Sequence, residues 1–345
     1  MVMRAPRNCK QSRKAWTRVE HRKDVLVLVS VTELEGEEAS MAVAIRSVSV
    51  VLKRFSLSQS PNWVWRNKAA FRCKMSTEST TPLTHSITLP SQHSQPVHVV
   101  AAPGVSHSDF LSAIDSSLFK QWLHNLETET GILANGTMAL RQVLIQGVDL
   151  FGKRIGFLKF KADIIDKETG NKIPGIVFAR GPAVTVLILL ESEGETYAVL
   201  TEQARVPVGR TILELPAGML DDDEGDFVGT AVREVEEETG IKLSLTDMID
   251  LTAFLDSSTG CRVIPSPGGC DEEISIFLYR GHVDKEIITQ LQGIQTGLVE
   301  HGELIKVHVV PYKKLWRTTA DSKVLMAIAL LEMATKEGLL PPFPT

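Results

Sequence analysis

Three glutamates in residues 230–240 have the spacing that would let them bind a metal ion jointly. Glu234, Glu237 and Glu238 are spaced i, i+3, i+4 and so share one face of a helix, whereas Glu236 points nearly the opposite way. Like charges on one face repel each other unless a cation lies among them. Hard divalent ions, Mg²⁺ above all, prefer such oxygen ligands. The spacing predicts a divalent-metal site, although calcium binding or a solvated acidic helix stays open on these residues alone.

The element that positions these glutamates is a predicted helix over residues 230–240. The segment contains good helix formers, and Gly240 stands where a helix would stop. It follows the sequence ELPAGML of residues 214–220, which leads out of a predicted strand. The metal site is therefore expected on one face of this helix.

A β-hairpin is predicted upstream of this helix. Residues 183–190 are a continuous apolar run of strand length, and residues 197–202 follow across a turn at Glu193 and Gly194. Near the strand ends come Gln203, Arg205 and Arg210, whose side chains could reach a ligand framed by the strands. Arginine is suited to bidentate contact with phosphate oxygens. Taken alone, surface or ion-pair roles for the two arginines are the simpler interpretation.

Composition limits the function classes. The 345 residues are 43% hydrophobic and 23% charged, enough for one good core and a second, smaller one. A net charge of -5 gives no general case for a nucleic-acid partner. The four cysteines form no CxxC pair, so neither a disulfide framework nor a zinc site is expected. No run of about 18 apolar residues is present, so no membrane span is expected.

The first 79 residues have the composition of a targeting segment. Residues 39–77 contain many serines and seven arginines or lysines but no acidic residue, which is typical of an organellar transit peptide. We expect a plastid protein, with the mitochondrion as the alternative, and Met41 as the true start. An ordinary disordered basic tail is the competing interpretation. Residues 1–79 are predicted to be transit-like and disordered.

Residues 80–96 are predicted to be a linker, and order is expected from Val97. Apolar residues at helical spacing predict one helix over residues 108–130, with Ser108 as its cap and Gly131 as its stop. The alternation beyond residue 147 predicts a small sheet with a turn at residues 168–171. We therefore expect an accessory domain over residues 97–179 and a main domain over residues 180–340, of α/β class.

A family resemblance rests on the residues around the predicted helix. Gly218, Glu224 and the run REVEEETGI of residues 233–241 resemble the Nudix box, a glycine, five residues, a glutamate, seven residues and then REUxEExGU, where U is a bulky aliphatic residue. Here eight residues instead of seven separate Glu224 from Arg233. The additional residue falls in a loop and leaves the glutamate spacing of the helix unchanged. It puts the role of Glu224 in doubt.

The resemblance extends beyond the box. LELPAGML before it, EQARVPVGR further upstream and IPSPGGCDE of residues 264–272 are similar to the Nudix branch that hydrolyses ADP-ribose and other nucleoside diphosphate sugars. It implies an α/β/α sandwich with a mixed sheet, preceded by a small sheet-plus-helix domain. It further implies a homodimer and a nucleoside diphosphate sugar substrate, such as ADP-glucose, ADP-ribose or UDP-glucose.

The same resemblance implies roles for individual residues. The metal, Mg²⁺ with Mn²⁺ as a substitute, would be held by Glu234, Glu237, Glu238 and the carbonyl of Ala217. Glu272 would be the general base on a loop made adaptable by its glycines, with Glu273 as its rival and a solvated loop tip as the bland alternative. Arg233 would orient the box helix, or alternatively contact phosphate. Substrate contacts would come from Gln203, Arg205, Arg210 and Glu214.

A hypothesis of another class is a nucleotide-sugar sensor or scaffold that keeps the fold without turnover. Three retained carboxylates argue against it, because a binding module has no need of so unfavourable a charge cluster. Metal-dependent release of AMP or UMP separates the two hypotheses.

Overall fold

The computed structural model describes two strands near the N-terminus and then residues 82–92, 95–152, 154–220, 226–297 and 304–342. The chain divides after Thr77 into two units, each taken by itself. In the first unit, β1 (Ala15–Arg22) and β2 (Val25–Val31) pair antiparallel. This pairing corrects the prediction of disorder throughout residues 1–79, because the valine-rich sequence of β2 favours a strand. The acid-free segment 39–77 lies outside the described residues.

The second unit begins with an accessory sheet. Its strand order is β3-β4-β5-β6-β7, with β8 also paired to β6, and all pairings are antiparallel except that of β4 with β5. The strands are β3 (Thr84–Ile87), β4 (Val97–Ala101), β5 (Met138–Phe151), β6 (Arg154–Asp166), β7 (Lys172–Ile173) and β8 (Ile176–Ala179). Strand β3 corrects the prediction that residues 80–96 are linker. Its polar composition hides a strand held chiefly by backbone pairing with β4.

Two helices cover this sheet where the sequence predicted one over residues 108–130. Helix α1 (His107–Asp115) is capped by Ser106, and α2 (Ser117–Glu127) is capped by Ser116. The extended backbone of Ser116 breaks the helix, and its hydroxyl accepts the N–H of Phe119 at 3.2 Å. Apolar periodicity continues across the break because both helices pack on the same sheet. Trp122 of α2 meets Phe160 of β6 with 4.6 Å between ring centroids.

The central sheet is mixed. Its order is β13-β14-β9-β10-β16-β15, with β11 paired to β10 and β12 paired to β9. Strands β9 and β14 are parallel and the other pairs are antiparallel. The strands are β9 (Ala183–Ser192), β10 (Glu195–Arg205), β11 (Arg210–Glu214), β12 (Ala217–Met219), β13 (Ile249–Asp250), β14 (Ile274–His282), β15 (Gln295–Thr296) and β16 (Ile305–Pro311). The predicted hairpin is therefore β9 and β10.

Helices cover both faces of the central sheet. One apolar cluster joins the sheet to α3 (Phe227–Thr239) and α4 (Lys285–Leu291), and a second joins it to α5 (Tyr312–Leu315) and α6 (Ser322–Lys336). The predicted α/β/α sandwich with a mixed sheet, preceded by a smaller sheet with helices, is confirmed. None of the helices in the described part of the chain is long and apolar enough to cross a bilayer.

Candidate functional site

Helix α3 contains the predicted glutamates. Asp226 caps its first turn by accepting the N–H of Gly229 at 2.8 Å, and Gly240 ends it in the left-handed conformation. Ala231 and Val235 are buried against the sheet, which fixes the rotation of the helix. Because Glu234 and Glu238 lie on the same side of Val235 on the helix surface, this rotation turns both carboxylates toward β12.

Glu238 is a buried carboxylate at the end of the sheet, 6% exposed. Its Oε1 accepts a hydrogen bond from Gln203 Nε2 at 2.8 Å, and its Oε2 accepts the backbone N–H of Ala217 at 3.1 Å. Burial, together with the nearby charge of Glu234, raises the pKa of Glu238 to about 8, although the Ala217 N–H opposes the shift. The structure therefore places a carboxyl group, a neighbouring carboxylate and the Ala217 backbone at one point.

Glu234 lies against Gly218, the first residue of the box pattern. A Cβ added at Gly218 would be 1.9 Å from Cδ of Glu234 and 2.0 Å from its Oε1. Only a glycine leaves this room. A larger residue at position 218 would displace the Glu234 carboxylate, which lies beside the same backbone that bonds Glu238.

The other box residues differ in exposure. Glu237 is half-buried, and its backbone carbonyl accepts the N–H of Gly297 at 3.3 Å. Arg233 and Glu236 are exposed, and Glu236 forms a surface ion pair with Lys242 at 3.3 Å. Glu224 of the box pattern lies outside the described residues. Glu236 was predicted to point away from the other three glutamates, and its ion pair with Lys242 at the surface agrees with that direction.

These donors fit a hard divalent cation by their chemistry. Carboxylates that repel one another and a backbone segment with a carbonyl at Ala217 are the oxygen ligands that Mg²⁺ takes. Each oxygen of Glu238 accepts one protein hydrogen bond, which leaves a lone pair for a metal. In the described ranges, no group of three or more acidic, histidine or cysteine side chains is gathered closely enough to hold an ion. Glu234 and Glu238 are therefore converged, but a complete three-carboxylate set is not preformed.

Arg205 and Glu214, both predicted to contact a ligand, bind each other. Arg205 Nε donates to Glu214 Oε1 at 2.6 Å and Nη2 donates to Oε2 at 3.1 Å, across the pair β10 and β11. Lys323 of α6 donates to the same Glu214 Oε2 at 2.8 Å and to Asp321 at 3.1 Å. Burial opposes the ionisation of Glu214, but the ion pairs with Arg205 and Lys323 outweigh it and lower the pKa.

The remaining predicted ligand contacts lie on the same strands. Gln203 is engaged with Glu238, so it supports the acidic centre directly. Arg210 is opposite Arg205 in the strand register and is exposed. The structure thus brings Gln203, Arg205 and Glu214 into the neighbourhood of Glu238 and leaves Arg210 at the outer end of the strands.

The loop that contains Glu272 leads into β14, which lies on the opposite edge of β9 from β12. Met219 of β12 and Ile274 of β14 both pair with Ala183 of β9, on opposite edges of that strand. Two strand spacings put the backbones of Met219 and Ile274 roughly 10 Å apart. Glu272 lies two residues before Ile274, and its role as the base stays a prediction.

Arg180 connects this loop to the chain segment that joins the two sheets. Its Nε lies 3.3 Å from Glu272 Oε1 and 3.1 Å from Met219 Sδ, and its guanidinium is 5.4 Å from the Phe157 ring centre. Asp271 Oδ1 accepts the backbone N–H of Arg180 at 2.7 Å and that of Gly181 at 3.3 Å. The loop is thus bound to residues 180 and 181 by side chains of both partners.

A cavity of about 450 Å³ opens beside this loop. Helix α2, the turn between β5 and β6, the end of β12 and the start of α3 all contribute to its wall. Glu273 lines it, and burial raises the pKa of that carboxyl, with Arg262 opposing the shift. Glu272 and Glu273 therefore differ in surroundings: the first meets Arg180, and the second faces the cavity.

Sequence reasoning missed Arg180 and Lys323. Arg180 stands in a connection with no recognised motif, and Lys323 lies in the first turn of α6. Their partners are 92 and 109 positions away in the chain, respectively Glu272 and Glu214. Neighbouring residues such as Gly181 and Asp321 form no pattern that predicts these ion pairs. Only the tertiary fold brings the charges together.

Comparisons with known proteins identify the family of the chain. Residues 179–327 match the NUDIX domain. The chain is 73% identical over 273 residues to "Nudix hydrolase 14, chloroplastic" of Arabidopsis thaliana, spanning 79% of this chain and 88% of that one. It is 35% identical to "ADP-ribose pyrophosphatase" of Bacillus subtilis (46% of this chain, 75% of that one) and 36% identical to "ADP-ribose pyrophosphatase" of Haemophilus influenzae (45% and 62%). The predicted chloroplast location is confirmed by the Arabidopsis relative.

Proposed function

Because the chain belongs to the Nudix hydrolase family, we propose that it is a plastid ADP-sugar diphosphatase. It hydrolyses the diphosphate bond of ADP-glucose and ADP-ribose to AMP and the sugar phosphate, with Mg²⁺ as its metal and Mn²⁺ as a substitute. The observation that supports this most directly is the convergence of Glu234 and Glu238 on the backbone of Ala217 and Gly218. The names of the two ADP-ribose pyrophosphatases support the substrate class.

The acidic centre holds the metal. Glu234, Glu237, Glu238 and the carbonyl of Ala217 are its ligands in this proposal, and Gln203 keeps the Glu238 carboxyl in place. When bound, Mg²⁺ neutralises charge on the diphosphate and supports the departing phosphate. Arg233 orients α3 from its exposed side, apart from the substrate.

Substrate phosphate is contacted by Arg205 and Arg210. Glu214 occupies Nε and one terminal nitrogen of Arg205, so the second terminal nitrogen is available to a phosphate oxygen. Glu214 acts in this proposal by fixing the direction of that guanidinium. Glu272 accepts the proton of the attacking water, whose oxygen bonds to phosphorus as the bond from phosphorus to the bridging oxygen breaks.

The proposal extends to architecture. Residues 97–179, together with β3, form an accessory domain and residues 180–340 the hydrolase domain, in keeping with separate apolar clusters under the two sheets. The active form is a homodimer. Size-exclusion chromatography with light scattering tests this, and a monomeric mass at assay concentration would contradict it.

The experiment incubates the full chain with ADP-glucose, ADP-ribose and UDP-glucose, with and without Mg²⁺, and measures AMP or UMP by chromatography. We expect Mg²⁺-dependent AMP release. Faster UMP release would favour the alternative, a UDP-glucose or other nucleoside diphosphate sugar pyrophosphatase. Binding without release from any of them would overturn hydrolysis of these sugars and favour a nucleotide-sugar binding protein.

Glu238→Gln and Glu236→Gln are the matched variants for this assay. Both remove one carboxylate from the same helix, but only Glu238 faces Ala217. We expect the Glu238 variant to lose most AMP release at every Mg²⁺ concentration and the Glu236 variant to behave as the wild type. Equal activity of the two variants would place the metal elsewhere.

A further inference from the structure

The loop that bears Glu272 is joined to the inter-sheet segment along its length. Phe178 N–H donates to the carbonyl of Gly269 and Ala183 N–H donates to that of Glu273, both at 2.8 Å. Between these two backbone bonds, Asp271 accepts the N–H groups of Arg180 and Gly181. Phe178 and Cys270 also form a parallel bridge. Residues 269–273 therefore follow the path of residues 178–183.

This anchoring limits the freedom that Gly268 and Gly269 give the loop. Before this anchored part, the N–H groups of Gly269 and Cys270 donate to the carbonyl of Ser266 at 3.3 and 3.0 Å, which closes a turn within the loop itself. From the Gly269 carbonyl onward, the loop is bonded to a segment that itself connects β8 of the accessory sheet to β9 of the central sheet. The backbone of Glu272 lies within the bonded part.

Among the described hydrogen bonds of residues 269–273, only Asp271 uses its side chain to bind the backbone of residues 178–183. It is mostly buried, and its Oδ1 holds two adjacent N–H groups. Because Oδ1 of Asp271 accepts both N–H groups, the backbone of Asp271 is held in position relative to Arg180 and Gly181. The next residue is Glu272, so any displacement of residue 271 moves the base.

We propose that Asp271 is the positioning residue for Glu272 and sets the distance of the base from the acidic centre by binding the inter-sheet segment. This rests on the proposed function, in which Glu272 is the base. Arg180 contributes to the same effect, because its backbone N–H is held by Asp271 while its side chain meets Glu272. Asp271 touches neither substrate nor metal in this assignment.

The test is a double-mutant cycle on the full chain, with kcat and KM for ADP-ribose. Glu272→Gln is expected to lower kcat by roughly 10² or more, the usual effect of losing a general base. Asp271→Ala is expected to lower kcat roughly 10- to 100-fold through misplacement of the base, with KM within about threefold. In the Glu272→Gln background, Asp271→Ala is expected to have no further effect on kcat. If Asp271 had a purely structural role, Asp271→Ala would lower kcat by the same factor in the wild-type and Glu272→Gln backgrounds.

The conservative variant and a matched control complete the cycle. Asp271→Asn keeps an Oδ1 acceptor for both amides, so it restores most of kcat relative to Asp271→Ala. Asp256 lies in the same connection between β13 and β14, and it accepts the backbone N–H of Ser258 within its own turn at 2.9 Å. As the control, Asp256→Ala is expected to leave kcat unchanged. If Asp271→Ala does not fold, Asp271→Ser, whose hydroxyl is too short to hold both amides, replaces it in the cycle.

The outcomes are distinguishable. Wild-type activity in Glu272→Gln would remove both the base assignment and this proposal, and no hydrolysis by the wild type would remove the proposed function itself. A defective Glu272→Gln with additive losses, an unaffected Asp271→Ala, or an Asp271→Asn as slow as the alanine variant would overturn the positioning role alone.

Discussion

The carboxylate of Glu234 occupies the space in which Gly218 would have a side chain, with only 1.9 Å between Cδ and the position of a Cβ. Gly218→Ala must therefore displace the far end of a flexible side chain, which costs little folding energy but moves a proposed metal ligand. We expect kcat/KM to fall roughly 10- to 100-fold, as for a misplaced catalytic group. The free energy of unfolding should change by less than about 1 kcal/mol.

Gly147→Ala is the control for that variant, because a Cβ at Gly147 of β5 meets nothing within 4 Å. Steady-state kinetics and urea unfolding of the two variants separate the effects. Full activity in Gly218→Ala would show that Glu234 does not bind the metal where it now lies.

Gly175→Ala should lower the stability of the fold, in contrast to Gly218→Ala, which should lower activity. A Cβ at Gly175 would lie 2.1 Å from the carbonyl oxygen of Ala162, and this is backbone that cannot rotate away. The same contact includes the hydrogen bond from Ala162 N–H to the Gly175 carbonyl at 2.7 Å. We expect a loss of roughly 2 kcal/mol in unfolding free energy, as for overpacking. Thermal melts measure it, and a melting temperature equal to that of Gly147→Ala would contradict the prediction.

Glu237→Gln tests the third predicted ligand, the least fixed of the three in the structure. If Glu237 binds Mg²⁺, its neutral isostere lowers kcat by about 10² or more and shifts the Mg²⁺ concentration for half-maximal rate upward. The fold should be retained, since Glu237 is only half-buried. Activity within about threefold of Glu236→Gln would leave the metal with Glu234, Glu238 and the Ala217 carbonyl.

Glu214→Gln should change the acid stability of the protein. The lowered pKa of Glu214 means that its ion pairs stabilise the fold above the ordinary glutamate pKa of 4.5 and lose that effect as the pH falls through the lowered value. We expect about 3 kcal/mol less stability than the wild type at pH 7, as for a broken buried pair. Urea unfolding from pH 7 to pH 3 should show this difference shrinking. A difference independent of pH would indicate lost packing instead of lost charge.

Much of the hydrolase fold followed from local pattern. The apolar run of β9, the turn at Glu193 and Gly194 and the glycine after α3 were each sufficient to place an element. The break at Ser116 was missed because both halves keep the same apolar spacing. Strand β3 was missed because its stability comes from pairing with β4, and its own residues are mostly polar and exposed.

By itself the sequence determined a divalent-metal site, since helical geometry puts Glu234, Glu237 and Glu238 on one face. The resemblance to the Nudix family, carried by local motifs, implied the reaction class and the role of Glu272. The tertiary structure decided which of these groups have partners. Gly218 admits Glu234, Gln203 holds Glu238, and Asp271 ties the loop to residues 180 and 181. These contacts join residues 16 to 91 positions apart, and no local rule of spacing or propensity reports distances that are set only when two sheets and their helices pack.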